Sequence, residues 1–271
     1  MASDAPIGLI DSGIGGLSIW RAVRRLLPNE RMAYIADQAF FPYGDKPPED
    51  LCLRTEALSR VLLDMGCKLI VLACNTASVQ TLAHVRAVFP DVPFVGVVPV
   101  IKTLARTTRT GKIALLCTTS TAQSPYTRML FESFAPDKEM LIVDCEGLEA
   151  LVEAGELRSA ALRAHLGDVL RPVSQAGADV VGLSCTHYPL VRGAIKRALG
   201  PGVRVFEPSR PVARRVRQLL TASGELAAGR RVPDFFGTTG EVEAYRRLVA
   251  KIVVSDGAEF GRVDAVVAAG A

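Results

Sequence analysis

A chain of 271 residues that is 49% hydrophobic but only 6% aromatic, rich in Leu, Val and Ala, has ample core and suits an α/β protein with strands covered on both faces. Its formal net charge is only +4, and the basic residues are spread over helical stretches such as 21–25 and 214–217, without interleaved aromatics; this argues against a nucleic-acid partner. No apolar run approaches the roughly 20 residues of a membrane span and MASDAPIG lacks a signal-peptide pattern, so a cytoplasmic protein without a membrane partner is expected.

Taken in order, Ile7 to Ile10 reads as a strand that ends in a glycine-rich turn, Asp11-Ser12-Gly13-Ile14-Gly15-Gly16. A helix follows with Leu17, Trp20, Val23 and Leu27 on its apolar face, closed by Pro28. The turn offers backbone N–H groups, but it lacks the GK[ST] of a phosphate loop and the spacing of a dinucleotide fingerprint. Met32 to Ala36 is the second strand. The loop after it, DQAFFPYGDKP, is stiffened by proline and carries Pro42, Tyr43 and Gly44 as a candidate wall of a binding site.

A helix is predicted from about Pro48 to Met65, then a strand ending at Cys74, a helix near Ser78 to Val88 and a strand over Phe94 to Val98. Thr103 to Gly111 shows no apolar stripe and reads as a crossing into a second unit. That unit contains strands from Ile113, over Met140 to Val143, up to Cys185 and over Val203 to Phe206. Its helices are predicted near Ala122 to Phe134, within Gly147 to Gln175 and after Pro189. Beyond it come a helix over Pro211 to Leu220, a strand at Val232 to Phe236, a helix over Glu241 to Val253, and a tail after Asp256 expected to fray.

The apolar run Val180 to Leu183 stops abruptly at Ser184-Cys185-Thr186-His187, as buried parallel strands do where open α/β sheets place their ligands. It has a twin. LIVLACNTAS superposes on it with Cys74 on Cys185, at an offset of 111 residues, and IGLIDSG matches IALLCTT at an offset of 106. The chain therefore reads as two copies of one α/β unit, whose equivalent strand tips would face each other across one cleft. Both tips carry a cysteine followed by small polar residues. Without zinc-like CxxC pairs, the six cysteines read as reduced thiols, and no metal site is expected.

The blocks DSGIGGLS, ADQAFFPYG, ACNTAS and SCTHYP, with VVPVIK, STAQS, LVEAGE and FEPSRPVA, resemble in order and spacing those of bacterial glutamate racemases over nearly the whole chain. The resemblance implies two pseudo-symmetric three-layer α/β domains with mostly parallel sheets and the active site in the cleft between them. The first would be discontinuous (1–97 and 209–271), and the second would span 98–208. It also implies a cofactor-independent enzyme that interconverts L- and D-glutamate for peptidoglycan synthesis, commonly as a homodimer. Cys117 stands where family members commonly have glycine, and Glu146 where they have proline, so loop shape near the second domain's strand tips is expected to differ.

Inverting a stereocentre requires acid/base groups on opposite sides of Cα. With each sulfur about 3–3.5 Å from that carbon, the two sulfurs would stand about 7 Å apart, far beyond the roughly 2.05 Å of a disulfide. One must be thiolate while the other is thiol, and a free thiol with a pKa of about 8.5 needs help to ionise near neutrality. The resemblance implies that Asp11 assists Cys74 and that His187 assists Cys185, with Glu153 a third candidate. Ser12, Asn75, Thr76, Thr118, Thr121 and Thr186, with Asp11, His187 and the Pro42-Tyr43-Gly44 wall, are candidate substrate contacts. Two rivals stand beside this expectation: a related racemase acting on aspartate or a hydantoin, and a binding or thiol-redox protein without turnover, for which a Cys74–Cys185 disulfide on oxidation would be the sign.

Overall fold

The structure, a computed structural model, describes residues 4–229, 232–255 and 257–265. The chain forms two compact units, one built from the residues up to Val97 and from Ser209 onward, the other from Val98–Pro208. The first unit begins with β1 (Ile7–Asp11), α1 (Leu17–Leu26), β2 (Met32–Ala36), α2 (Pro48–Asp64), β3 (Leu69–Leu72), α3 (Asn75–Val88) and β4 (Phe94–Gly96). The second comprises α4 (Ile101–Thr107), β5 (Lys112–Cys117), α5 (Thr119–Gln123), α6 (Pro125–Phe134), β6 (Glu139–Asp144), α7 (Leu148–Glu153), α8 (Ala160–Val169), α9 (Arg171–Ala176), β7 (Val180–Ser184), α10 (Arg192–Leu199) and β8 (Arg204–Phe206). The chain then returns to the first unit through α11 (Ser209–Ser223), β9 (Phe235–Thr238), α12 (Val242–Ala250) and β10 (Glu259–Arg262).

Strand order is β10-β9-β2-β1-β3-β4 in the first sheet and β6-β5-β7-β8 in the second, with every pairing parallel. The segment β2-β1-β3-β4 is thus repeated as β6-β5-β7-β8, and the repeat holds at the level of register. Ile7 lies opposite Met32 and Leu69, while its counterpart Ile113 lies opposite Met140 and Val180. Sequence offsets of 106 and 111 residues are therefore structural equivalences.

Layering follows from the near-universal right-handedness of parallel crossovers. The step from β1 to β2 runs one way along the sheet and the next two steps run back, so α1 lies on one face while α2 and α3 share the other. The contacts agree, since α1 packs on α11 and α2 on α3, and in the second unit α6 packs on α4 and α8 on α10. Covered on both sides, β1, β2, β3 and β7 are buried along their whole length, which is why they read as continuous apolar runs.

Several expectations are corrected. Thr103–Gly111 is not a bare crossing, because α4 buries Ile101 and Leu104 against β7. Gly182 permits that approach: a Cβ there would lie 2.8 Å from Val100 Cγ2 and 2.9 Å from Leu104 Cδ1. The helix expected over Ala122–Phe134 is two helices, broken where Ser124 caps α6 ahead of Pro125. The strand expected at Val232–Phe236 is β9, shifted to Phe235–Thr238. Part of the tail expected to fray is β10, an edge strand paired with β9, and residues 266–271 lie outside those described.

Candidate active site

In the first unit, β1 and β3 are neighbours, and Ala73 N donates to Ile10 O (2.7 Å) where their ladder ends. Asp11, the last residue of β1, is fully buried, and its Oδ1 accepts from Gly13 N (2.9 Å). Cys74 is extended and directly precedes the first turn of α3, the end of a helix that favours negative charge. Its Sγ lies 4.0 Å from Ser12 Oγ, with either atom able to donate. The turn between Asp11 and α1 closes tightly at Gly16. A Cβ there would sit 2.8 Å from Tyr34 Oη and 2.9 Å from both Ala73 Cβ and Asp11 Cβ. Tyr34 Oη also donates to Gly13 O (2.7 Å), fixing the turn from below.

Asn75 and Thr76 open α3 and are buried beside Cys74 in sequence. Both amide atoms of Asn75 are buried without a hydrogen-bond partner among the described residues. Such groups cost about 1–3 kcal/mol each when unsatisfied.

The proline-stiffened loop turns its tyrosine inward. Tyr43 is buried in one apolar cluster with Leu51, Ala77 and Cys74, and its hydroxyl donates to Asp37 Oδ2 (2.8 Å). Burial first, and then the Asp37 charge and hydrogen bond, push its pKa well above the usual phenol value. Asp37 is fully buried at the end of β2. It also accepts two hydrogen bonds from Arg54 (Nε to Oδ2, 2.8 Å; Nη2 to Oδ1, 2.6 Å) and one from Thr239 Oγ1 (2.8 Å). This network, tied to the returning segment through Thr239, holds the loop against Cys74. Pro42 and Gly44, partly exposed on either side of Tyr43, make the loop's outer surface.

In the second unit, Cys185 follows β7 as Cys74 follows β3. Its Sγ lies 3.8 Å from His187 Nδ1, and His187 Nε2 lies 2.9 Å from Glu153 Oε2 at the end of α7. Burial alone would lower the His187 pKa. The hydrogen bonds to Cys185 and Glu153, with the charges of both, outweigh it and hold the imidazole well above its ordinary value. Thr186 is buried between them in sequence, and Ser184 and Tyr188 flank the run with buried hydroxyls that have no hydrogen-bond partner among the described residues. At the end of β5, the equivalent of β1, Thr118 caps α5 by accepting from Thr121 N (3.3 Å) and donates to Thr121 Oγ1 (3.1 Å).

Cys74 is 6% and Cys185 9% exposed, whereas Cys117 and Cys145 are fully buried. Burial, reinforced by the charges of Asp144 and Cys185, pushes the Cys117 thiol up to about 12, and burial drives Cys145 higher still. These two pack the second unit's interior. Among the described residues, no three His, Cys, Asp or Glu side chains are grouped as metal ligands would be.

The family model for Asp/Glu/hydantoin racemases matches residues 7–216. The chain is 39% identical over 245 residues to a glutamate racemase of Pseudomonas putida, which covers 90% of this chain and 92% of that one. It superposes on the crystal structure of Escherichia coli glutamate racemase in complex with L-glutamate with a TM-score of 0.86, at 30% identity and over 97% and 99% of the two chains. Glutamate racemase from Thermus thermophilus in complex with β-chloro-D-alanine gives a TM-score of 0.80 at 33% identity, over 97% and 98%. The chain belongs to the Asp/Glu/hydantoin racemase family.

This racemase is therefore an amino-acid isomerase acting on a small molecule. Of its anticipated site residues, Asp11, Ser12, Cys74, Asn75, Thr76 and Tyr43 gather at the ends of β1–β3 in the first unit. Thr118, Thr121, Cys185, Thr186, His187 and Glu153 gather at the corresponding ends in the second. Asp37, Arg54 and Thr239 went unrecognised. Asp37 is visible as an acid at a strand end ahead of the PYG loop, but its partners lie 17 and 202 residues away along the chain.

Proposed function

We propose that the chain interconverts L- and D-glutamate by exchanging a proton at Cα between two thiols, without a cofactor. The observation that carries it is the equivalence of Cys74 and Cys185, each just past the matching strand of a repeated sheet and each with a polar helper near its sulfur, Ser12 at 4.0 Å and His187 at 3.8 Å. The substrate follows from relatives that are glutamate racemases.

Cys74 as thiolate takes the Cα proton of D-glutamate while the Cys185 thiol delivers its own to the opposite face. In the reverse direction Cys185 takes the proton and Cys74 delivers it. Each turnover moves one proton on and one off, so the sulfurs exchange protonation states and no other reactant is consumed. Asp11 assists Cys74, and His187, oriented by Glu153, assists Cys185. Ser12, Asn75, Thr76, Thr118, Thr121 and Thr186 hold the two carboxylates and the ammonium, with the Pro42-Tyr43-Gly44 loop as a wall. Neutral donors fixed on helix starts suit an anionic intermediate, because they are already aimed where charge develops.

The enzyme acts in the cytoplasm as a homodimer and supplies D-glutamate for peptidoglycan. Polarimetry of L-glutamate with the enzyme in D2O tests the chemistry: rotation should decay to zero with deuterium at Cα of the product. Unchanged rotation, with aspartate racemised in its place, would transfer the enzyme to a different substrate.

A further inference from the structure

At the opposite end of the first unit's strands from Cys74 lies a cavity of about 610 Å³. Its floor is apolar: Trp20 of α1 packs on Phe236 of β9 (ring centroids 5.4 Å), with Ile252 and Val253 beside them. Its rim carries Val232 and Val254, the latter 79% exposed, the highest value among the chain's exposed large hydrophobic side chains. Among the described residues, three guanidinium groups, Arg21, Arg24 and Arg25, line one side against one carboxylate, Asp234.

Arg24 is spent. Its Nη2 forms a two-oxygen ion pair with Asp234 (2.7 and 2.6 Å), and its Nη1 donates to Pro28 O and Glu30 O. Arg21 and Arg25 are exposed, have no ion-pair or hydrogen-bond partner among the described residues, and stand four residues apart on one helix face, where like charges repel. Two buried polar atoms of the wall that lack a partner, Trp20 Nε1 and Arg24 Nε, are both N–H donors. The cavity thus combines an apolar rim with two exposed arginines that have no partner among the described residues, in a volume that suits a small molecule.

We infer that this cavity is a second ligand site, separate from the racemase chemistry, for a small organic anion with a flat apolar body. The body lies against Val232, Ile252 and Val254, with Trp20 behind them, and the phosphate or carboxylate meets Arg21 and Arg25. Guanidinium groups recognise either anion through paired N–H donors.

Trp20 is the only tryptophan of the chain, so its emission reports on this cavity. Phenyl phosphate titrated into the full-length enzyme should change Trp20 fluorescence saturably at millimolar concentration, equally with and without saturating D-glutamate. Inorganic phosphate and phenol, each carrying half of the chemistry, should bind about tenfold more weakly or worse. Arg21→Ala/Arg25→Ala should weaken phenyl phosphate by about tenfold or more. Val254→Glu, a change at an exposed rim position with little effect on folding, should weaken it through charge. No saturable change, unaltered affinity in both variants, or displacement by glutamate would each overturn the assignment.

Discussion

Glu153 Oε2 stands 2.9 Å from the Nε2 of His187, whose Nδ1 lies 3.8 Å from the sulfur of Cys185. In the mechanism proposed above, the thiol alone of these three groups is the reactant. The carboxylate orients the ring and favours its charged form.

Replacing Glu153 by Gln keeps the shape and removes the charge. Activity should fall by less than the about 10²–10⁴-fold expected for losing an acid–base group. The alkaline limb of kcat/KM for L-glutamate should move to lower pH, because one of the influences raising the His187 pKa is gone. A stability effect accompanies it. Since the folded pKa of His187 is raised, the stability from its charge is fully present below about 6.5 and is lost as pH rises through the raised folded value. Thermal melts across that range should show the variant losing this contribution at lower pH than the wild type. Identical pH profiles would remove Glu153 from the relay.

Cys74→Ala and Cys185→Ala should each reduce racemisation by at least about 10²–10⁴-fold while the fold persists. Cys117→Ala, which alters only packing in the fully buried interior, should cost stability and leave most of the rate. Circular dichroism of glutamate solutions and thermal melts of the same preparations separate the two classes.

Asp37→Asn removes the charge partner of Arg54, whose side chain is 13% exposed and keeps its bond to Ala265 O, and weakens the bond to Tyr43. Breaking a buried ion pair costs about 3–5 kcal/mol, so a clear drop in denaturation midpoint is expected, with a raised KM as the loop loosens over Cys74. Tyr43→Phe removes one hydrogen bond to the same carboxylate and should cost nearer 1 kcal/mol. Equal losses in the two variants would mean that Arg54 does not depend on Asp37.

The repeat was legible because buried parallel strands must be apolar throughout and must end in polar groups at the sheet edge. Cys74 and Cys185, with Asp11, therefore stand out without any alignment. Other features were hidden by non-local causes. Nothing within Ile101–Thr107 says that Gly182, far along the chain, has left room for a helix. β10 is a strand only because β9 offers it an edge, and Glu259–Arg262 shows no apolar run of its own. The helix expected near Ser78 begins three residues earlier, at Asn75, because the weak helix propensity of Asn75 and Thr76 hides a first turn that they nevertheless form.

Gly16→Ala tests the close approach at the first turn. The backbone there is ordinary (φ −62°), so the obstacle is space alone, with Tyr34 Oη, Ala73 Cβ and Asp11 Cβ all within 3 Å of the added methyl. Overpacking of this kind costs about 1–3 kcal/mol. Because the displaced atoms include the Asp11 side chain and the residue before Cys74, kcat should fall along with stability. A variant that melts earlier with unchanged kcat would show that the strand tips absorb the methyl without moving the reacting groups.

Asn75 supplies the opposite combination. Its amide oxygen and nitrogen are both buried and unpartnered, a standing cost of about 1–3 kcal/mol for each such group. Asn75→Leu, similar in size and without polar atoms, should leave the free enzyme as stable as before or more so, while glutamate loses a hydrogen-bonding partner. KM should therefore rise by about tenfold or more, the equivalent of roughly 1.4 kcal/mol, and the stabilisation that wild type gains from added glutamate in a thermal melt should shrink. If Asn75→Leu instead destabilises the free enzyme and leaves KM alone, the amide serves the fold and the substrate is held elsewhere in the first turn of α3.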